Sequence, residues 1–130
     1  MVDETSEKRR EELLRKMKEQ RGYMLGPWEY MAEKDPDFME AYNGIYSKGL
    51  SDGNALPIKT RELIAIAILA FRGRTDGVYE HMKRALRHGA TKQELLEAAQ
   101  TMLVPGGAPT FSAALKALMR IEQEDTQEMP

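Results

Sequence analysis

The chain has 130 residues, 42% hydrophobic and 31% charged, with a formal net charge of −2, which is the balance of an ordinary globular protein. It contains no cysteine, so disulfides, thiolate catalysis and cysteine-ligated metals are excluded. Its longest apolar run, residues 63–71, is much shorter than the ~20 residues that cross a bilayer. At this length we expect a single domain over residues 1–130. The first twenty residues are too charged for a secretory signal, so we expect a cytoplasmic protein with no membrane partner.

Helix-forming residues dominate from the start of the chain, and no stretch alternates polar and apolar residues as a strand would. Gly22 and Gly26 interrupt the first helical pattern, and Asp35-Pro36 supplies a helix cap followed by a proline at the first helical position. The first three predicted helices cover about residues 6–19, 27–34 and 35–48.

The second part of the chain predicts four further helices, covering about residues 57–71, 76–88, 91–104 and 109–123. The helix over 57–71 is apolar on nearly every side, so we expect it to be the central buried element. Pro105, Gly106 and Gly107 separate the last two helices, and residues 124–130 are expected to fray. The predicted class is all-α, a helical bundle of about six to seven helices.

Charge is unevenly distributed along the chain. Residues 56–90 contain three acidic and seven basic residues, whereas the segments on either side of them are acidic. A locally basic segment without interleaved aromatic residues suits a small anionic ligand better than nucleic acid. We therefore expect a small anionic partner and no nucleic acid.

His81 and Glu62 are the first candidate site residues. An imidazole titrates near neutrality and can move a proton in either direction, but a histidine beside Val78, Met82 and Ala85 can equally be a hydrogen-bonded core residue. Glu62 can orient that imidazole, or simply occupy the favourable start of its helix. In a straight antiparallel hairpin the two residues lie at different distances from the turn, so the sequence does not guarantee direct contact. A bridging water, a helix break and a neighbouring subunit are the alternatives to it.

The other candidates flank these two residues. Arg74, with Arg72 beside it, can bind a carboxylate through its guanidinium, although most surface arginines are only solvated. Gly106 and Gly107 can present backbone N–H groups to an anion or only connect two helices. Tyr79 can face the pocket or an interface, and His88 near a helix end needs no functional role. With two histidines and no metal-binding spacing, we expect no metal.

Three segments together resemble the carboxymuconolactone decarboxylase family, which includes the alkylhydroperoxidase-D-like proteins. They are Lys-Thr-Arg-Glu-Leu-Ile at 59–64, Tyr-x-His with Gly-Ala-Thr-x-x-Glu-Leu at 79–95, and Gly-Gly-x-Pro at 106–109. The resemblance implies an alkylhydroperoxidase-D-like fold assembled as a trimer or hexamer, with sites near subunit boundaries. It places the family-like core at about residues 38–123, after an N-terminal helical extension at about 5–34.

The resemblance also implies which residues act. The glutamate-to-histidine spacing of nineteen matches the family, which assigns catalysis to Glu62 and His81. The peroxidase branch carries cysteines where this chain has Arg74 and Gly77. A cofactor-independent decarboxylation of a small anionic lactone is therefore favoured, with Arg74 holding a carboxylate. The alternatives are an alkylhydroperoxidase-like antioxidant protein, disfavoured by the missing cysteines, and a non-catalytic ligand-binding oligomer.

Overall fold

The computed structural model describes residues 4–128, and all regular secondary structure in that range is helical, which confirms the predicted class. The chain divides after Leu50 into two compact units. None of the helices in the described range combines the length and hydropathy that a bilayer span needs. In chain order the six helices are α1 (Glu4–Arg21), α2 (Gly26–Lys34), α3 (Pro36–Gly49), α4 (Ile58–Phe71), α5 (Thr75–Arg87) and α6 (Lys92–Glu128).

The N-terminal unit packs α1, α2 and α3 on one another. The cap predicted for α3 is present, since the side chain of Asp35 accepts a hydrogen bond of 3.1 Å from the backbone N–H of Phe38. The predicted extension ends near residue 34, but α3 packs with α1 and α2, so the compact unit reaches Leu50. Its core consists of Leu13, Met17, Ala32 and Met39.

The C-terminal unit packs α4, α5 and α6 on one another. The helix α4, expected from its composition to be the central buried element, exposes one face in the single chain. Ile64, Ile68 and Phe71 follow one another at helical spacing on the face opposite the core, and are 49%, 56% and 69% exposed. Three helices leave this apolar face without a cover. The helix with the most buried residues for its length is instead α5, which buries Val78, Tyr79, Met82, Arg84 and Ala85.

The predicted sixth and seventh helices form one element, α6, because the break between them is a single residue. Gly107 has φ 80° and ψ 179°, between Pro105 and Pro109, and helical geometry resumes directly after it. The tail expected to fray from residue 124 is helical to Glu128, and Lys92 pairs with Asp125 at 2.5 Å. Residues 129 and 130 lie outside the described range.

The kink at Gly107 gives the first stability prediction. Its backbone conformation is open almost only to glycine, so we expect Gly107→Ala to lower the free energy of unfolding by about 1–3 kcal/mol. Gly77→Ala is the matched control, because Gly77 is helical and an added Cβ would meet Leu69 at an ordinary 3.4 Å. We expect that control to be neutral or stabilising by up to ~1 kcal/mol. Equal effects in urea denaturation would show that the kink carries no strain.

Candidate proton-transfer site

Glu62 is the carboxylate of the site, and its side chain is fully buried on the inner face of α4. The helix begins at Ile58 and has no acidic residue in its first turn, so the helix dipole does not explain a glutamate at this position. A buried carboxylate requires hydrogen-bond partners, and ionised it requires a cation. Both partners come from α5.

His81 and Arg84 each occupy one oxygen of the Glu62 carboxylate. His81 Nδ1 lies 2.7 Å from Oε2, and Arg84 Nη1 donates to Oε1 at 2.5 Å. The His81 and Arg84 side chains are 11% and 8% exposed. The three residues therefore form one nearly buried network that joins α4 to α5.

Glu62 and His81 are in direct contact within one chain, a point that the sequence left open. Counting from the turn gives unequal distances along the two helices, but residues 72–74 are not part of either helix. Counted from the helix ends, Glu62 lies nine residues before Phe71 and His81 six residues after Thr75. The axial offset is therefore about 5 Å, which a glutamate and a histidine side chain can span.

The geometry defines the role of each imidazole nitrogen. With Glu62 ionised beside Arg84, its Oε2 accepts a hydrogen bond and Nδ1 of His81 donates it. Nε2 is then the nitrogen left to exchange a proton with a bound molecule. A carboxylate on the opposite side of the ring also stabilises the imidazolium, which is the arrangement of a histidine acid–base catalyst held by an acidic residue.

Arg72 and Arg74 lie at the turn between α4 and α5. Arg72 is the residue after the end of α4, Arg74 precedes α5, and both are exposed. No contact described for residues 4–128 joins either guanidinium to Glu62 or His81. Their assignment to substrate binding stays a prediction.

Tyr79 lies apart from the Glu62 network. It is two residues from His81, which places it on nearly the opposite side of α5, and its hydroxyl donates to Glu124 of α6 at 2.5 Å. The Arg120 guanidinium lies over its ring, 3.7 Å from the centroid. The hydrogen bond raises the pKa of Tyr79 and lowers the pKa of Glu124. In this structure Tyr79 holds the end of α6 against α5.

A pH-dependent stability prediction follows from that hydrogen bond. Because the folded chain lowers the pKa of Glu124, its contribution is present above the ordinary carboxyl pKa and is lost as the pH falls through the lowered value. We expect Tyr79→Phe to reduce the free energy of unfolding at neutral pH, and the difference from the parent chain to shrink in acid. Urea denaturation at both pH values measures it. In a Glu124→Gln background, which has no carboxylate at this position to titrate, the effect of Tyr79→Phe should not differ between the two pH values. A pH-independent Tyr79→Phe effect in the parent chain would contradict the assignment.

Gly106 and Gly107 form the kink of α6 rather than an open loop. Thr110 donates its hydroxyl to the carbonyl of Gly106 at 2.9 Å, and a Cβ on Gly106 would lie 2.8 Å from that hydroxyl oxygen. Glycine is therefore required here by packing against Thr110. Anion binding by this pair stays a prediction.

His88 follows the last residue of α5 and is exposed at the surface. Partial burial of its ring, followed by repulsion from Arg84 and Arg87, lowers the pKa of His88. It lies outside the carboxylate contact that holds His81. Within residues 4–128, no group of three or more histidine and acidic side chains is arranged to hold a metal ion.

A cleft of about 280 Å³ lies along α6, away from the residues of the network. Four apolar side chains and three polar ones line it, and neither Glu62 nor His81 is among them. The lining residues are Lys92, Gln93, Leu96, Leu115, Leu118, Met119 and Glu122. The Glu62 network and this cleft are therefore separate features of the C-terminal unit.

Arg84 is the residue that sequence reasoning missed. Its position, three residues after His81, puts both side chains on the same face of α5, and this spacing is visible in the sequence. This spacing indicates a shared partner for His81 and Arg84 only once Glu62 is known to face that side of α5. An arginine near the end of an amphipathic helix otherwise indicates a solvated residue.

The family model described as the carboxymuconolactone decarboxylase family matches residues 36–119. The chain therefore belongs to the carboxymuconolactone decarboxylase family. An uncharacterized protein of Cupriavidus necator is 36% identical over 88 residues, covering 68% of this chain and 77% of that protein. The 4-carboxymuconolactone decarboxylase of Acinetobacter baylyi is 37% identical over 60 residues, covering 46% of this chain and 45% of the enzyme.

Two crystal structures share the fold. A Burkholderia xenovorans protein provisionally named as a carboxymuconolactone decarboxylase superposes with a TM-score of 0.75 at 22% identity, over 96% of this chain and 99% of that one. A carboxymuconolactone decarboxylase family protein of Legionella pneumophila gives a TM-score of 0.66 at 24% identity, over 88% and 95% of the two chains. At these identities the likeness concerns the fold alone.

Proposed function

We propose that this protein catalyses an acid–base decarboxylation, or a related lyase reaction, of a small anionic lactone, with His81 as the proton-transferring residue. The observation that carries the proposal is the 2.7 Å contact between His81 Nδ1 and the buried Glu62 carboxylate. Membership of the family and the partial match to a 4-carboxymuconolactone decarboxylase support the substrate class.

The proposed reaction needs one proton and no cofactor. The bond between the substrate and its departing carboxylate breaks, carbon dioxide leaves, and the electron pair passes into the lactone carbonyl as an enolate. The enolate carbon then takes the proton from Nε2 of the His81 imidazolium, which solvent reprotonates. Glu62 stabilises the imidazolium through Nδ1 during this cycle.

Arg74 is proposed as the anchor for a second carboxylate of the substrate. It lies seven residues before His81, about 10 Å along α5, which suits a group remote from the reacting carbon. A guanidinium can bind a carboxylate through two parallel hydrogen bonds. Arg72 adds positive charge at the same turn.

The assembly as a trimer or hexamer remains a proposal, supported by the uncovered apolar face of α4. A monomer that exposes Ile64, Ile68 and Phe71 on one helix leaves apolar surface that a second copy can bury. The C-terminal unit buries only three helices against one another, so a covering subunit would enlarge its core.

The test of the proposed function is an assay of the purified chain with 4-carboxymuconolactone. We expect loss of 4-carboxymuconolactone, with release of one carbon dioxide per substrate and retention of the lactone ring in the product. Lactones that lack the departing carboxylate are the matched control and should not react. If neither 4-carboxymuconolactone nor related carboxylated lactones turn over, the reaction class is wrong.

A non-catalytic ligand-binding oligomer is the second candidate, and a specific observation favours it. The cleft along α6 is lined by residues other than Glu62 and His81, so a ligand bound there would not reach the imidazole. In that case the Glu62 network only joins α4 to α5. The peroxidase alternative is weaker, because a thiol peroxidase of this family uses cysteines and this chain has none.

A further inference from the structure

We propose that Arg84 is a positioning residue, which keeps Glu62 ionised and thereby sets the tautomer of His81. This inference rests on the proposed function for its catalytic consequence. Which ring nitrogen of His81 carries the proton is the structural part of the inference, and it can be measured without substrate.

The two partners of Glu62 act on different oxygens. Arg84 Nη1 donates to Oε1 at 2.5 Å, and His81 Nδ1 lies 2.7 Å from Oε2. Because His81 and Arg84 are three residues apart on α5, one rotamer of Glu62 satisfies both at once. Two side chains of a single helix therefore fix the orientation of the Glu62 carboxylate.

The charge of Arg84 decides what the carboxylate can do in a buried position. An isolated carboxylate loses its hydration on burial and becomes neutral unless a cation compensates it. A neutral Glu62 would have a hydroxyl that donates a hydrogen bond, and Nδ1 of His81 would then accept it. The ring proton would sit on Nε2, and the nitrogen facing a substrate would no longer be a base in the neutral ring.

With Arg84 present, both oxygens of Glu62 accept hydrogen bonds, and Nδ1 of the imidazole donates. Nε2 then carries the lone pair in the neutral ring and the labile proton in the imidazolium. Arg84 acts on the reaction through Glu62, because it donates to Oε1, the carboxylate oxygen that His81 does not contact. This is the role of an outer residue that orients and fixes the charge of a catalytic group.

The experiment is ¹H–¹⁵N spectroscopy of the histidine rings in protein labelled with [¹⁵N]histidine. The chain has only two histidines, so His88→Gln leaves His81 as the single labelled ring. In that background we expect the Nδ1–H tautomer at a pH where the spectra show a neutral ring. We expect Arg84→Gln to lose it in favour of the Nε2–H tautomer or a mixture, and Arg84→Lys to retain it because the charge is kept.

The kinetic expectation is that Arg84→Gln lowers kcat roughly 10- to 100-fold with little change in KM, and that Arg84→Lys recovers part of the loss. An unchanged Nδ1–H tautomer in Arg84→Gln would overturn the inference. If Arg84→Gln does not fold, Arg84→Lys decides, since loss of the tautomer in that folded, charged variant would also overturn it. Absence of turnover in the parent chain would refute the proposed function while leaving the tautomer result intact.

Discussion

A His81→Gln variant is expected to lose the proton-transfer step while keeping the fold. A positioned general acid or base contributes typically about 10²- to 10⁴-fold to a rate, so we expect kcat with 4-carboxymuconolactone to fall by that factor. Glutamine keeps a polar side chain of similar size beside Glu62, and this limits the structural damage. Steady-state kinetics of parent and variant give the ratio.

The control for His81→Gln is His88→Gln, the same change at the other histidine of the chain. His88 lies at the surface after the end of α5 and makes no described contact with Glu62. We expect its kcat and KM to match those of the parent. If the two variants keep equal activity, His81 is not the proton-transferring residue, and the second candidate function becomes the better account.

Glu62→Ala is expected to destabilise the fold more than any other single change considered for this chain. The substitution leaves the Arg84 guanidinium, 8% exposed, without the carboxylate at 2.5 Å. Removing one partner of a buried ion pair typically costs about 3–5 kcal/mol, because the remaining charge stays buried and loses the carboxylate that compensated it. Urea denaturation followed by circular dichroism measures the loss in the free energy of unfolding.

Two comparisons separate the cost of unpaired charge from the cost of a lost side chain. Glu62→Met combined with Arg84→Met removes both charges and keeps apolar volume, so we expect it to recover most of the stability. Glu97→Ala on the exposed side of α6 is the surface control and should change the free energy of unfolding by about 0.5 kcal/mol or less. A double variant as unstable as Glu62→Ala would show that charge is not the cause.

Local signals predicted the helix boundaries well, because caps act through neighbouring residues. Thr91-Lys92-Gln93-Glu94 is a capping-box pattern that can be read in the sequence, and it illustrates this. The Glu94 N–H donates to the Thr91 hydroxyl and the Thr91 N–H donates to the Glu94 carboxylate, both at 3.0 Å, at the start of α6. Lys59 also pairs with this carboxylate at 3.0 Å, an α4 contact that no local pattern shows.

The features that could not be predicted depend on what lies across from a helix. The composition of α4 indicated a central buried helix, but within one chain α5 and α6 cover only one of its faces, and Ile68 stays exposed. The length of the break in α6 could not be predicted either. Only Gly107 departs from helical φ and ψ values, and the Pro-Gly-Gly pattern does not determine how many residues do so.

The candidate site was predictable in part. The resemblance to the family identified Glu62 and His81 as a pair, and the structure brings them into direct contact. Arg84 was missed, because its partner lies 22 residues earlier in the chain and its own surroundings resemble a solvated helix face. Tyr79 was a candidate for the pocket or an interface because of its nearness in sequence to His81. Two residues along a helix point in nearly opposite directions, and the Tyr79 hydroxyl donates to Glu124.

A crystal structure of the chain with a saturated dicarboxylated lactone, which cannot lose carbon dioxide, tests the central claim most directly. The proposed function predicts the ligand beside His81, with a heavy atom within about 3.2 Å of Nε2 and a carboxylate toward Arg74. A ligand bound only in the cleft along α6, with Nε2 facing protein alone, would contradict it.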